Sequence, residues 1–295
     1  MQRKSLKMLD KILLPIDLTE TSEIGFETAK NLAKKLNSDI TFLYVLEPIK
    51  DIPFEIFEEE REHLFQLKDK LKKQATQTLE EYTEKLKSDG IRASYIILEG
   101  DEVESILDFA QKNRIDFIVM PAHKKTKVEY KALGSVSLRV ASKSPSSVLV
   151  VKQKPLSEIK NILVNYDFLP SSIKALEKAV YLAKIFSSSV EVLHVDNDEH
   201  YTHLKSVYQK VLEKKLNLLE EIKERYKDIE ISTTLIKGNP KEEILKHINS
   251  NGYDLVVMGK RNPVNKSRIF IGSLALEILR ESPISVLISR GDYEE

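Results

Sequence analysis

The stretch Ile12-Leu13-Leu14-Pro15-Ile16-Asp17 returns 150 positions later as Ile162-Leu163-Val164-Asn165-Tyr166-Asp167. The same offset pairs Ser22 with Ser172, Ala29 with Ala179, Leu32 with Leu182, Ala33 with Ala183, Leu43 with Leu193 and Val45 with Val195, without a gap. From about residue 91 the offset becomes 138, aligning Gly100 with Gly238, Ile106 with Ile244, Asp116 with Asp254, Met120 with Met258, Gly134 with Gly272, Ser135 with Ser273 and Pro145 with Pro283. The chain therefore contains itself twice. The offsets differ by 12, so the first copy holds a net 12 extra residues between Val45 and Ile91, expected in a loop around Glu47-Pro48-Ile49-Lys50-Asp51-Ile52-Pro53. The 295 residues divide in the polar stretch Lys152 to Glu158, giving domains at 1–153 and 154–295, each of ordinary domain size.

Within each copy, short runs of Ile, Val and Leu alternate with segments of helical period. In the first copy the strand candidates are Lys11 to Ile16, Asp39 to Val45, Ala93 to Leu98, Phe117 to Met120 and Ser147 to Val151. They are apolar with little alternation, as parallel strands covered on both faces should be. Val103, Ile106, Leu107 and Ala110 mark one helix face, and Asp101 with Glu104, like Asn239 with Glu242 behind Pro240, fits a helix start. Because parallel strands need right-handed crossovers, the pattern predicts an α/β chain of two tandem five-stranded parallel doubly wound domains, Rossmann-like in layering. The final strands, 147–151 and 285–289, are expected to pair across a pseudo-twofold, since an open apolar edge invites another strand.

Composition narrows the function. Hydrophobic residues at 41% and charged residues at 31% describe a folded chain, and 46 basic against 46 acidic residues leave no net field to favour nucleic acid or an anionic membrane. With no cysteine, thiolate catalysis, disulfides and cysteine metal sites are excluded. The basic amino terminus has no apolar run behind it and nothing approaches the roughly 18 apolar residues of a membrane span, so the expectation is a cytoplasmic protein. The P-loop, Gly-x-Ser-x-Gly, His-Glu-x-x-His and dinucleotide glycine patterns are missing, so the expected role is binding rather than a dedicated reaction.

In open α/β sheets the ligand crevice lies beyond the carboxyl ends of the strands where the winding reverses. Asp17 and Asp167 directly follow the first strand of each copy. The loop after the fourth begins at Met120-Pro121-Ala122 or Met258-Gly259-Lys260 and ends at Gly134-Ser135 or Gly272-Ser273. A glycine and serine opening a helix offer free amides and a hydroxyl at its positive end, which suits a phosphate.

At these residues the sequence resembles the universal stress protein family, as a tandem member whose likeness covers nearly the whole chain. Nucleotide-binding members carry glycine, two residues, glycine, nine residues, then glycine and serine or threonine after strand four, with an acidic residue after strand one near the adenine. The second copy keeps that spacing as Gly259, Asn262 and Gly272-Ser273, with asparagine for one glycine; the first reads Pro121, Lys124 and Gly134-Ser135, where proline offers no amide. The resemblance implies a stress-response sensor or regulator holding ATP or a related adenine nucleotide, with or without magnesium, mainly in the second copy. Its residues there are Asp167, Met258, Gly259, Arg261, Asn262, Gly272, Ser273 and Leu274, and the weaker first-copy set is Asp17, Gly134, Ser135 and Ser137. The alternatives are a nucleotide-free interaction scaffold and, last, an enzyme acting on an adenylated substrate. A homodimer and an outside protein partner stay open beside the pairing within the chain.

Several residues have a plainer reading. Asp17 and Asp167 could simply cap the turn into the next helix. Lys260, Lys266 and Arg268, with Lys124, Lys125, Lys127 and Lys131 in the first copy, are expected as solvated loop side chains that at most screen phosphate charge. The segment from His194 to His203 gathers three His and three acids but reads as a strand end and a loop rather than a metal site. The charged run Glu58 to Glu62 reads as a solvated helix surface, with Ile56, Phe57, Leu64 and Leu67 as its packing face.

Overall fold

The computed structural model describes residues 9–19, 21–48, 58–122, 134–197, 205–260 and 271–290. The first half runs β1 (Lys11–Pro15), α1 (Thr21–Leu36), β2 (Asp39–Leu46), α2 (Glu58–Ser88), β3 (Ala93–Glu99), α3 (Glu102–Lys112), β4 (Phe117–Pro121), α4 (Ser135–Lys143) and β5 (Ser147–Val151). The second repeats it as β6 (Asn161–Asn165), α5 (Pro170–Phe186), β7 (Ser189–Asp196), α6 (Lys205–Arg225), β8 (Ile231–Lys237), α7 (Pro240–Asn251), β9 (Leu255–Gly259), α8 (Ser273–Glu281) and β10 (Ser285–Ser289). Among the described residues no helix is long and apolar enough to cross a membrane.

Both halves have the order 3-2-1-4-5, all parallel, and they join edge to edge in one ten-stranded sheet, β3-β2-β1-β4-β5-β10-β9-β6-β7-β8. The expected contact of the last strands is the joint: β5 and β10 pair antiparallel, with Val286 opposite Val150, Leu287 opposite Leu149 and Ile288 opposite Val148. All six side chains are buried, and the pairing also satisfies backbone groups that would be unpaired on an open sheet edge. Separating the halves would strip an apolar edge on each. Two apolar layers, one on each sheet face, run unbroken through both halves.

Hydrogen bonds at the joint follow the pseudo-twofold. The Lys152 amide donates to Ser285 Oγ and the Arg290 amide to Ser147 Oγ, two contacts related by the 138-residue offset. Helix starts agree with their sequence signals: Asp101 accepts from the Glu104 amide, and Asn239 from the amides of Lys241 and Glu242.

Two expectations fail here. Helix α2 has 31 residues against 21 in α6, so most of the extra 12 residues lengthen a helix rather than a loop. Charge makes this possible, because a helix extending past the sheet needs solvated side chains more than a packing face. Lys68 near its start pairs with Glu99 at the end of β3. Leu67, assigned to a packing face, is instead exposed, as are Phe65 and Leu71; Ile56 and Phe57 lie outside the described residues.

Candidate functional site

The winding of the second half reverses between β6 and β9, and the carboxyl ends of these strands place Asn165 and Asp167 beside Met258 and Gly259. Facing them are the first residues of α5, Ser171 and Ser172, and of α8, Gly272 to Ala275. Together they enclose a cavity of about 70 Å³. A single water requires only roughly 10–15 Å³ by the same measure, whereas a whole drug-sized ligand fills several hundred. The space suits one polar group, such as a phosphate.

What the walls offer is positive potential from backbone. Both α5 and α8 begin without a side-chain cap, at Leu169 and Gly272 respectively, in contrast to the capped α3 and α7. Uncapped first-turn amides carry the positive end of the helix dipole and need an acceptor. One such end, that of α8, opens on the cavity with the Ser273 hydroxyl, whereas α5 starts with Pro170, which has no amide hydrogen, and its Ser172 amide already donates to the Leu169 carbonyl at 2.9 Å.

The site brings together six of the eight residues expected for it: Asp167, Met258, Gly259, Gly272, Ser273 and Leu274. Arg261 and Asn262 lie outside the described residues, as do Lys124, Lys125, Lys127, Lys131, Lys266 and Arg268. Asn165, Ser171, Ser172 and Ala275 were missed. The Ser22/Ser172 match, with Pro170 opening a helix ahead of two serines, was the available signal.

Asp167 behaves as the plainer reading has it. Its Oδ1 accepts the Leu169 amide at 3.1 Å, holding Phe168 between them in the left-handed region at φ 62°. The first half repeats the turn with Leu18 at φ 61°, where Asp17 Oδ1 accepts from the Thr19 amide, the Thr19 hydroxyl and the Ser22 hydroxyl. A left-handed non-glycine residue costs on the order of 1–2 kcal/mol, and here the aspartate turn offsets it. In the second half Leu169 replaces Thr19 and brings no hydroxyl, and Ser172 Oγ donates instead to the Leu169 carbonyl.

Gly259 needs correction as to cause. A Cβ there would sit 2.3 Å from the carbonyl oxygen of Ser171 and 2.8 Å from the amide nitrogen of Ser172. Its missing side chain admits the backbone of α5 before it admits any ligand.

The first half has exchanged these pieces. Pro121 stands where Gly259 stands in the second, and Gly25 in α1 where the second has Ala175. A Cβ on Gly25 would meet Leu14 Cδ1 at 3.0 Å and Pro121 Cδ at 3.3 Å. The proline ring thus lies against α1 at Gly25, where an added methyl would crowd both it and Leu14. Ser137 is wholly buried, donating to the Pro121 carbonyl at 3.1 Å, while Gly134 and Ser135 open α4 without a side-chain cap. The swap predicts coupling. Gly25→Ala alone is expected to cost about 1 kcal/mol, but in a Pro121→Gly background to be neutral or gain up to about 1 kcal/mol from helix propensity. Urea unfolding of the four chains measures it, and additive effects would show that the two residues do not share the space.

Lys260 overturns the expectation of a solvated loop side chain. It is 2% exposed, and its Nζ donates at 3.0 Å to the carbonyls of Ala141 and Ser144, at the end of α4 in the other half. Burial pulls its ammonium down to about 7 from 10.5, with the Arg290 charge adding to the effect. Across the pseudo-twofold, Lys152 Nζ donates to the Leu279 carbonyl near the end of α8, and burial lowers it to about 8. Such carbonyls lack intrahelical donors, so an ammonium beside them complements the negative helix end.

Beside the cavity strands, His194 Nδ1 lies 2.8 Å from the Tyr166 carbonyl, and burial pushes its imidazole below the ordinary value. Asp196 is buried; burial works to raise its carboxyl, but bonds from Lys215 and Tyr208 hold it below the usual range. The rest of the segment considered for a metal, residues 198–204, lies outside the described residues.

The sheet defines a doubled α/β protein built from two copies of one unit, joined edge to edge. The sequence profile of the Universal stress protein family matches residues 8–152 and again 158–290, and the chain belongs to that family. Universal stress protein MJ0577 of Methanocaldococcus jannaschii is 32% identical over 159 residues, covering 50% of this chain and 97% of that one. Universal stress protein YxiE of Bacillus subtilis is 30% identical over 146 residues, 44% of this chain and 97% of its own. A universal stress protein from Archaeoglobus fulgidus shares the whole two-unit fold, with a TM-score of 0.71 at 24% identity over 98% of this chain and 99% of that one.

Proposed function

We propose that this universal stress protein binds an adenine nucleotide, ATP in the first instance, in its second half, and that the bound state rather than a dedicated reaction is its output. The observation that carries the reading is the cavity where the uncapped start of α8 meets Gly259, Ser273 and Asp167. The phosphate end belongs at those amides, with Asp167 toward the base and ribose and with Arg261 and Asn262 completing the loop. The division of function falls at residues 153/154: the first half, with Pro121 where the second has Gly259, serves as the scaffold against which the second is built. A magnesium ion would accompany the triphosphate by pairing with its charge.

Mass spectrometry of the natively purified chain is expected to show one adenine nucleotide per chain, and calorimetry with ATP to show a single site. Asp167→Ala is expected to weaken binding about tenfold or more, the worth of a hydrogen bond to a charged group, and Gly272→Val to weaken it as much by placing a branched side chain on the cavity wall, while the fold persists. A chain that carries no nucleotide and gives no heat with ATP would remove the reading and leave the scaffold role.

A further inference from the structure

Lys260 is covalently next to a wall of the cavity and is anchored in the other half of the molecule. Its backbone amide donates to the Ser289 carbonyl at 3.0 Å, tying it to β10, while its ammonium reaches across the joint to the last turn of α4. Residue 260 is thus tied to β10 at the backbone and to the first half at the side chain. The contact has no pseudo-symmetric counterpart, because the position equivalent to Lys260 is Ala122. The matching carbonyl, Leu279, is capped by Lys152 instead, from the end of β5. One lysine adjoins the cavity wall and the other does not, although both lend an ammonium to a helix end across the same joint.

We propose that Lys260 is a positioning residue for nucleotide, fixing Gly259 and the start of the loop by its grip on α4, so that affinity in the second half depends on the first half being docked. The inference rests on the nucleotide reading above and adds to it the route by which the first half takes part. Holding Gly259, a wall of the cavity, in place before the nucleotide arrives lowers the cost that binding must meet. The ammonium itself touches no ligand in this account: it is spent on two carbonyls, and the loss on its removal comes through Gly259.

The test is ATP calorimetry on the full chain with three substitutions. Lys260→Met is expected to weaken ATP binding about tenfold, Lys260→Arg to stay within about threefold of the parent because it still donates across the joint, and Lys152→Met to bind as the parent does. Should the methionine chain fail to fold, Lys260→Gln, which keeps a donor on a shorter stem, takes its place with an intermediate loss expected. Parent-like affinity in Lys260→Met would overturn the positioning role and leave the nucleotide reading standing. Equal losses in Lys260→Met and Lys152→Met would also overturn it, assigning the effect to general loosening of the joint. An unsubstituted chain that binds no ATP removes both.

Discussion

A chain carrying Gly259→Ala is expected to lose about 3 kcal/mol of stability, and Gly259→Val more. Nothing at the level of secondary structure forewarns of this, because residue 259 closes a strand where alanine or valine would be welcome. The cost comes from the start of α5: the new carbon would lie 2.3 Å from the Ser171 carbonyl oxygen and 2.4 Å from its carbon, both of them backbone. A side chain would swing aside; a helix start must be displaced, and overpacking of that kind typically costs 1–3 kcal/mol or more. For a protein of this size the melting temperature should fall by about 5 °C. Gly272 provides the contrast. Its backbone, φ −65° and ψ 154°, is open to any residue, so Gly272→Ala should melt with the parent even where it weakens binding. A Gly259→Ala chain melting within 2 °C of the parent would show that α5 moves away freely.

Stability should also rise with pH from neutrality to about pH 9.5. Lys260 and Lys152 titrate at about 7 and about 8 in the folded protein and near 10.5 once unfolded. Over the window between, the unfolded chain binds protons that the folded chain lacks, so raising the pH favours folding. Below pH 7 both ammoniums are charged in the fold and their burial cost is fully present; above about 10.5 neither state is charged and the dependence ends. The capped carbonyls favour the ammonium and offset a large part of the desolvation, so the expected gain is about 2 kcal/mol between pH 6.5 and 9.5, read as a rise in melting temperature. Other shifted groups act outside this window: Tyr82, pushed up mainly by burial to about 12, works in the opposite direction only above pH 10, and His194, lowered by burial, matters below 6.5. Replacing both lysines by methionine should flatten the profile. A parent profile already flat, or falling, would mean that water reaches these ammoniums.

The strands were legible almost to the residue, because a sheet covered on both faces demands continuous apolar runs and the repeat supplied each run twice. The site was legible in outline for the same reason, since the switch point of a 3-2-1-4-5 sheet follows from strand order. The failures share a cause. Lys260 reads as one more base in a basic loop, and its partners lie 119 and 116 residues away. Gly25 and Pro121 look ordinary singly and acquire meaning only as a pair in contact. The extra residues of α2 were assigned to a loop on the strength of Pro48 and Pro53, although the charge that follows is what a projecting helix needs. Local pattern reports on an element and its exposure; it is silent on which distant backbone that element will touch.

An assembly of two identical chains must accept every change twice, once on each side of its axis. Joining the copies in one polypeptide lifts that rule. A lysine can be placed on one side and an alanine on the other, and a glycine can move from strand to helix in one copy alone, as it has between Gly259 and Gly25. The seam at β5 and β10 keeps the outline of a twofold while its contents have gone separate ways, so the molecule has two unlike faces where a symmetric pair would have two of the same.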